Sequence, residues 1–335
     1  MRKVLVIIGV LFILTGLVGG AVTIGSSGAF AMSYEEMKEL YKDELKDEHK
    51  EFSGVLTSTI INATSAEVKI EYSASDKITV DYKSTQPNMI CKINFDEKTG
   101  VLKVEETSRH NFFFLFWFNF DRSEITVTLP DAYKNDGIEL VDVYLTSGNL
   151  EGDLPKCEYL KLNFTSGTAD DITIDCEKAD MHFTSGNLFI TNRGDEMDKV
   201  SFYATSGDAK LYNFSAEESL YDLTSGNLYI DGATGDITVD KTSGDTTIKY
   251  ADFDGDVYID ATSGDSTIML PGDFGFDFEL DRTSGHCEVQ LPIEDSDKVT
   301  VMTFDGDTKT HLGTPSDNEI KIDITSGDVL ICPVK

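Results

Sequence analysis

The tripeptide Thr-Ser-Gly recurs through the second half of the chain, beginning at Thr146, Thr165, Thr184, Thr205, Thr224, Thr242, Thr262, Thr283 and Thr325. Successive gaps are 19, 19, 21, 19, 18, 20, 21 and 42 residues, and a worn copy, Phe304-Asp305-Gly306-Asp307, stands midway across the last gap. A period near 20 residues, held over ten copies to the end of the sequence, is the mark of a stacked repeat architecture. One such unit cannot bury its own apolar face, so neighbouring units must supply the rest of the core.

The flanks of each turn separate strand from helix. Three residues before each Thr, or its equivalent, stand Val143, Leu162, Met181, Phe202, Tyr221, Val239, Ile259, Leu280, Val301 and Ile322, none of them charged. Five before stand Val141, Leu160, Ala179, Val200, Ser219, Ile237, Val257, Phe278, Val299 and Ile320. At two before, the column reads Tyr144, Asn163, His182, Tyr203, Asp222, Asp240, Asp260, Asp281, Met302 and Asp323. This is period two, a strand with one buried face. A second strand follows the turn, as in Leu188 and Ile190, Leu228 and Ile230, or Val329 and Ile331. The copy at Thr165 is shifted by one residue, with Ile172 and Ile174 as its apolar pair. Glycine supplies the positive φ of the bend, and Asn or Asp after it suits the same turn. The expected fold is all-β, a β-solenoid of two-strand coils of about 20 residues, rising roughly 45–50 Å over ten coils.

Upstream, Glu67–Tyr72, Lys77–Lys83, Val101–Glu106 and Glu124–Leu129 also alternate, and Thr64-Ser65-Ala66 has the form of a decayed first copy. The sequence therefore divides into 1–32, a signal peptide or transmembrane anchor; 33–50, a juxtamembrane helix; 51–140, irregular β coils that cap the N-terminal edge; and 141–335, the regular solenoid. In the first part, Arg2 and Lys3 precede an apolar run from Val4 to Val22, about long enough to cross a bilayer, and Ala29-Phe30-Ala31 follows as a small-residue cleavage pattern. The retained anchor is favoured because the run exceeds an ordinary signal core; cleavage near Ala31 is the other reading. No cysteine closes the run, which excludes a lipoprotein. The helix rests on a capping box, Ser33 with Glu36, and on Met37, Leu40, Tyr41 and Leu45 near helical spacing.

The short N-terminal hydrophobic segment, the repeated TSG(N/D) turn with its alternating strand, and the early strand Ile125 to Pro130 together resemble the bacterial putative-adhesin β-strand repeat family. The resemblance spans about residues 51–335. It implies a cell-envelope location, mostly in Gram-positive bacteria, with some relatives linked to envelope stress. It brings no catalytic motif, and the family is chiefly a domain of unknown function.

Charge narrows the partners. With 28 Lys+Arg against 60 Asp+Glu the formal net charge is -32, which excludes nucleic acid as a partner and disfavours anionic lipid. The stacked Thr and Ser hydroxyls could meet ice, sugar or a wall polymer, but satisfying turn backbone groups is the simpler role. Asp208, Asp236, Asp245, Asp256, Asp265, Asp307 and Asp328 each follow a Gly, a pattern open to loose Ca²⁺ binding although the spacing fits no known Ca²⁺ loop. The five His (His49, His110, His182, His286, His311) lack metal-ligand spacing, so no catalytic, metal or cofactor residue is nominated. Cys157 and Cys176 share a phase in adjacent repeats and are expected to be spatial neighbours, as free thiols or as a disulfide. The one candidate contact is the aromatic run Phe112, Phe113, Phe114, Leu115, Phe116, Trp117, Phe118 and Phe120, either a plug over the solenoid's end or an exposed tip for lipid or a partner. The expected function is that of a non-catalytic, extracytoplasmic envelope binding or scaffold protein, adhesin-like, whose partner is an envelope component or envelope protein. Alternatives are an envelope-stress sensor acting through the membrane segment and a carbohydrate-active β-helix enzyme.

Overall fold

The computed structural model describes residues 46–86, 89–108, 123–272, 274–293 and 296–334. The N-terminal strands are β1 (Lys46–Phe52), β2 (Ser58–Ala63), β3 (Ala66–Ser73), β4 (Ile78–Ser84), β5 (Met89–Asp96), β6 (Val101–Ser108) and β7 (Ser123–Pro130). Then come β8 (Ile138–Gly152), β9 (Cys157–Ile174), β10 (Cys176–Ser185), β11 (Leu188–Asn192), β12 (Met197–Ala204), β13 (Ala209–Tyr212), β14 (Ala216–Leu223) and β15 (Leu228–Ala233). β16 (Asp236–Lys241), β17 (Thr246–Tyr250), β18 (Val257–Ser263) and β19 (Ser266–Leu270) continue the series, and β20 (Gly275–Arg282), β21 (Cys287–Ile293), β22 (Ser296–Phe304), β23 (Thr308–Gly313), β24 (Glu319–Ser326) and β25 (Val329–Pro333) end it.

Two sheets enclose one apolar column. The first holds the strand before each turn, in the order β5-β6-β2-β8-β9-β10-β12-β14-β16-β18-β24-β20-β23. The second holds the strand after it, in the order β1-β4-β7-β3-β8-β9-β11-β13-β15-β17-β19-β25-β21-β22. β8 and β9 run through their turns and belong to both. Pairing is parallel throughout the middle, and Val143, Leu162, Met181, Phe202, Tyr221, Val239, Ile259, Ile322 and Leu280 are all buried in the column. Ring contacts pass from coil to coil, Phe164–Phe183 at 4.8 Å, Phe183–Phe202 at 5.8 Å and Phe202–Tyr221 at 6.3 Å between centroids. The one-residue shift in the Thr165 copy is a β-bulge: Leu188 pairs with Ala169 but Ile190 with Ile172, and Asp171 takes a φ of 56°.

The bends do lie over one another. Ser147, Ser166 and Ser185 are register partners, and the Ser N–H of one turn donates to the Thr carbonyl of the turn beneath, as from Ser206 to Thr184 and from Ser225 to Thr205, both at 3.0 Å. At Gly226, φ is 112° and an added Cβ would stand 1.9 Å from the carbonyl oxygen of Gly207. Glycine is thus required twice over, by the left-handed bend and by the approach of the next coil.

Three expectations need correction. The helix placed over 33–50 does not include 46–50, which are the start of β1, antiparallel to β4; residues 33–45 lie outside the described residues. Over 46–50 the chain covers an open sheet edge as β1 instead of continuing a helix. The ten copies also do not stack in chain order. The C-terminal coil, β24 and β25, sits between the Thr262 coil and the Thr283 coil, with Ser263 in register with Ser326. The worn copy at 304–307 is no coil at all: it is the turn between β22 and β23, which run antiparallel to β21 and β20. Val301 consequently points outward, 54% exposed, while Met302 and Phe304 pack against the core. The N-terminal end is built in the same manner. β2 and β3 sit between β8 and an outer coil of β6 and β7, and β4, β5 and β1 lie antiparallel beyond it.

Candidate functional site

The outer face of the first sheet carries the most differentiated chemistry among the described residues. Period two sends every second side chain of β8, β9, β10 and β12 outward, and exact coil-on-coil register lines them up. Tyr144 pairs with Asn163, Asn163 with His182, and His182 with Tyr203. The His182 and Tyr203 rings stack, with centroids 4.6 Å apart and planes 9° from parallel. This stacked pair forms a ridge between two hollows. On one side a groove of about 460 Å³ runs along Tyr144, Asn163, His182, Tyr203 and Asp222 and the threonines Thr165, Thr184, Thr205 and Thr224. On the other side a hollow of about 300 Å³ is lined by Tyr159, Lys178, Asp180, Lys199 and Ser201. Asp180 lies 3.0 Å from His182 Nε2 and fixes the ring's outer edge, and Lys161 lies over the Tyr159 ring at 4.8 Å. The strip thus offers aromatic faces, an amide, hydroxyls and both signs of charge within one span of five coils.

Further along the same column the chemistry changes. Asp222, Asp240, Asp260, Asp323 and Asp281 are successive register partners, a single file of aspartates on strands about 4.8 Å apart. Burial first, then the charges of Asp323 and Asp240, raise the Asp260 carboxyl above its ordinary value. The file joins Asp323 to Asp281 only because of the inserted C-terminal coil.

The turn residues are engaged with the backbone. Serine hydroxyls donate to the threonine carbonyl of the adjacent coil, from Ser185 to Thr165 at 3.2 Å and from Ser225 to Thr205 at 3.0 Å. Threonine side chains stand exposed beside them. Every one of the seven acidic turn residues accepts a backbone N–H: Asp208 from Asn227, Asp245 from Asp265, Asp265 from Asp328, Asp328 from His286, Asp236 from Asp256, Asp256 from Glu319 and Asp307 from Arg282, at 2.7–3.3 Å. One oxygen of each carboxylate is therefore committed to the turn below or above it. Among the described residues no three His, Cys, Asp or Glu side chains converge on a point.

Two buried ionic groups lacked a sequence signal. Lys241 occupies a core position one residue before its turn and donates to the carbonyls of Gly244 at 2.7 Å and Asp265 at 3.2 Å. Burial pushes its ammonium down to about 8, against the partial support of Asp245 and Asp265. Glu106, also buried, accepts from the N–H groups of Thr64 and Ser65 at 3.2 and 2.9 Å and so closes the decayed first turn. Arg282 and Thr303 hold the same place before their turns, so a polar residue at that place did not mark Lys241 as buried.

The sequence-nominated positions fall as follows. Phe112, Phe113, Phe114, Leu115, Phe116, Trp117, Phe118 and Phe120 lie outside the described residues, in the segment that links β6 to β7. Cys157 and Cys176 are register partners, both buried and free, and Cys176 donates to Met197 Sδ at 3.9 Å. The hydrogen bond with Cys157, then burial, hold the Cys176 thiol well above its ordinary range. The histidines are scattered: His49 and His311 lie at opposite ends, each 2.8 Å from an aspartate, Asp81 and Asp277. No helix among the described residues is long and apolar enough to cross a membrane, and the Val4–Val22 run lies outside them.

The chain is similar to the crystal structure of a putative lipid binding protein from Parabacteroides distasonis, at 13% identity, covering 87% of this chain and 97% of that one with a TM-score of 0.46. It is similar also to a putative adhesin from the same organism (12% identity, 85% and 97% covered, TM-score 0.46) and to one from Bacteroides fragilis (13%, 86% and 97%, TM-score 0.37). No curated protein sequence matches it. The sequence profile of the Toastrack DUF4097 family matches residues 57–332, and the chain belongs to that family of β-strand repeat proteins.

Proposed function

We propose that the protein is a non-catalytic binding and scaffold protein of the cell envelope, with its body on the extracytoplasmic side and its ligand-binding strip on the outer face of the first sheet. The partner class that suits the strip is an extended envelope glycan. Polysaccharides are recognised by aromatic rings against their apolar faces and by amides, hydroxyls and carboxylates along their hydroxyl rims, and a ladder repeating every ~4.8 Å supplies these in a line. The observation that carries the reading is the His182–Tyr203 ridge between two polar hollows. The Val4–Val22 run followed by Ala29-Phe30-Ala31 supports export, by anchor or by cleaved signal.

The test is co-sedimentation of the full chain, in nonionic detergent, with insoluble envelope polysaccharide. Replacing His182 and Tyr203 together by Ala leaves the core untouched and is expected to weaken binding at least about tenfold, the loss of a stacked aromatic contact. Binding no stronger than that of an unrelated acidic protein, or equal binding by the double variant, would sink the assignment.

A further inference from the structure

The two ends of the solenoid are finished differently. At the N-terminal end the last strand, β1, carries Lys46, Asp47, Glu48, His49, Lys50 and Glu51 in seven residues, a charged edge of the kind that prevents strand addition. Lys50 Nζ donates to the Ile93 carbonyl of the neighbouring edge strand β5 at 2.8 Å, and Phe52 meets Phe95 at 5.6 Å across the gap between the sheets. Beneath them Met89, Cys91 and Ile93 are buried.

The C-terminal end has no such closure among the described residues. β22 is bonded only to β21, and β23 only to β20. The inward side chains of the last rung, Met302 and Phe304, remain half-exposed. On the outer face Val301 is 54% exposed, and Ile293, at the end of β21, is 41% exposed. β22 reads Ser-Asp-Lys-Val-Thr-Val-Met-Thr-Phe, a nine-residue strand rich in β-branched residues with a single carboxylate and a single amine. A long edge of that composition is a template for another strand.

We propose that this end is the interface with a second copy of the chain, formed by antiparallel pairing of β22 with its own equivalent. A two-fold axis normal to the sheets reverses strand direction and keeps each sheet continuous with its mate, so β22 meets β22 and β23 meets β23. Closed two-fold contacts are self-complementary by this geometry. With the axis through Thr300, Val299 of each copy stands opposite Val301 of the other, a β-branched pair on both sides of the axis. Charge selects the same end. The chain carries -32 overall, yet the strands β22 and β23 themselves contain only Asp297 against Lys298 and Lys309, so the paired strands bring little of that charge to the joint, and Asp305 and Asp307 stand in the turn beyond them. The half-covered Met302 and Phe304 rung is then buried on its mate.

The experiment is sedimentation velocity of the full chain in nonionic detergent, over a concentration series, beside Val301→Lys. Wild type is expected to move from 37.0 kDa toward twice that mass as concentration rises. Val301→Lys places two like charges across the joint and is expected to raise the dissociation constant at least tenfold, with an unchanged unfolding midpoint showing that the fold is kept. Hydrogen exchange supplies a second reading: β22 amides slow with concentration in wild type and not in the variant. A monomer at every concentration overturns the proposal, and so does a dimer whose affinity and β22 exchange ignore Val301→Lys.

Discussion

Replacing Gly226 by alanine tests the stacked bends directly. The backbone there has φ 112°, a conformation that costs an L-residue about 1–2 kcal/mol. The new Cβ would lie 1.9 Å from Gly207 O and 2.7 Å from Gly207 C, where ordinary contact begins at 3.4 Å. The corner must therefore open by about 1.5 Å, the difference of those two limits, against a coil spacing of ~4.8 Å. That movement breaks the bonds from Thr224 N to Ala204 O at 2.9 Å and from Ser225 N to Thr205 O at 3.0 Å. Each contributes about 1 kcal/mol net. The summed cost is about 3–4 kcal/mol, less up to ~1 kcal/mol because alanine narrows the unfolded ensemble. Two glycines serve as internal references. Gly272 has φ 61° with nothing within 4 Å, so its alanine variant is expected to cost only the backbone part, about 1 kcal/mol. Gly306 has neither a positive φ nor a close neighbour, and Gly306→Ala is expected to be near neutral. Urea unfolding followed by far-ultraviolet circular dichroism ranks the three. If Gly226→Ala loses no more stability than Gly272→Ala, the turns are not in contact as described and the reasoning fails.

The aspartate file predicts a stabilising substitution. Asp260→Asn removes repulsion from Asp240 and Asp323, each about 0.9 kcal/mol at ~4.8 Å in water before salt screening, so a gain of about 1 kcal/mol is expected at neutral pH and low salt. Because the native Asp260 carboxyl is raised, the native state takes up its proton first and wild type gains stability as pH falls. The advantage of the Asn variant should therefore fade in acid and in concentrated NaCl; a constant advantage across both would refute the electrostatic cause. Lys241 predicts the opposite pH course. Its ammonium titrates at about 8 when folded against an ordinary 10.5, so between those values the unfolded chain holds a proton the folded one has lost. Stability relative to Lys241→Met is expected to rise with pH across that window, by at most about 3 kcal/mol, and a flat difference would show that the amine is not desolvated.

Much of this protein was legible in its sequence. Apolar columns at three and five residues before each turn, with a polar column at two between them, identified strands, and the uncharged column at three identified the face that is buried. The bulge in the Thr165 copy was readable from one displaced apolar pair. The outward column of Tyr144, Asn163, His182 and Tyr203 was visible as a polar alternation, although nothing in the spacing showed that His182 and Tyr203 stack or that hollows flank them. Those depend on rotamers chosen by neighbours in space.

The sequence by itself determined the period, the bend and the inner face, because these follow from local chemistry repeated in each unit. Only the tertiary structure decided which unit lies beside which. Similar coils offer nearly equivalent apolar faces to any neighbour, so local pattern cannot distinguish chain order from an order in which the C-terminal coil slips between two others. What breaks that degeneracy is the need to finish the two ends, a requirement of whole sheets rather than of any one repeat. It turned Lys46–Phe52 into a covering strand and placed Val301 outward, and it brought Asp323 between Asp260 and Asp281.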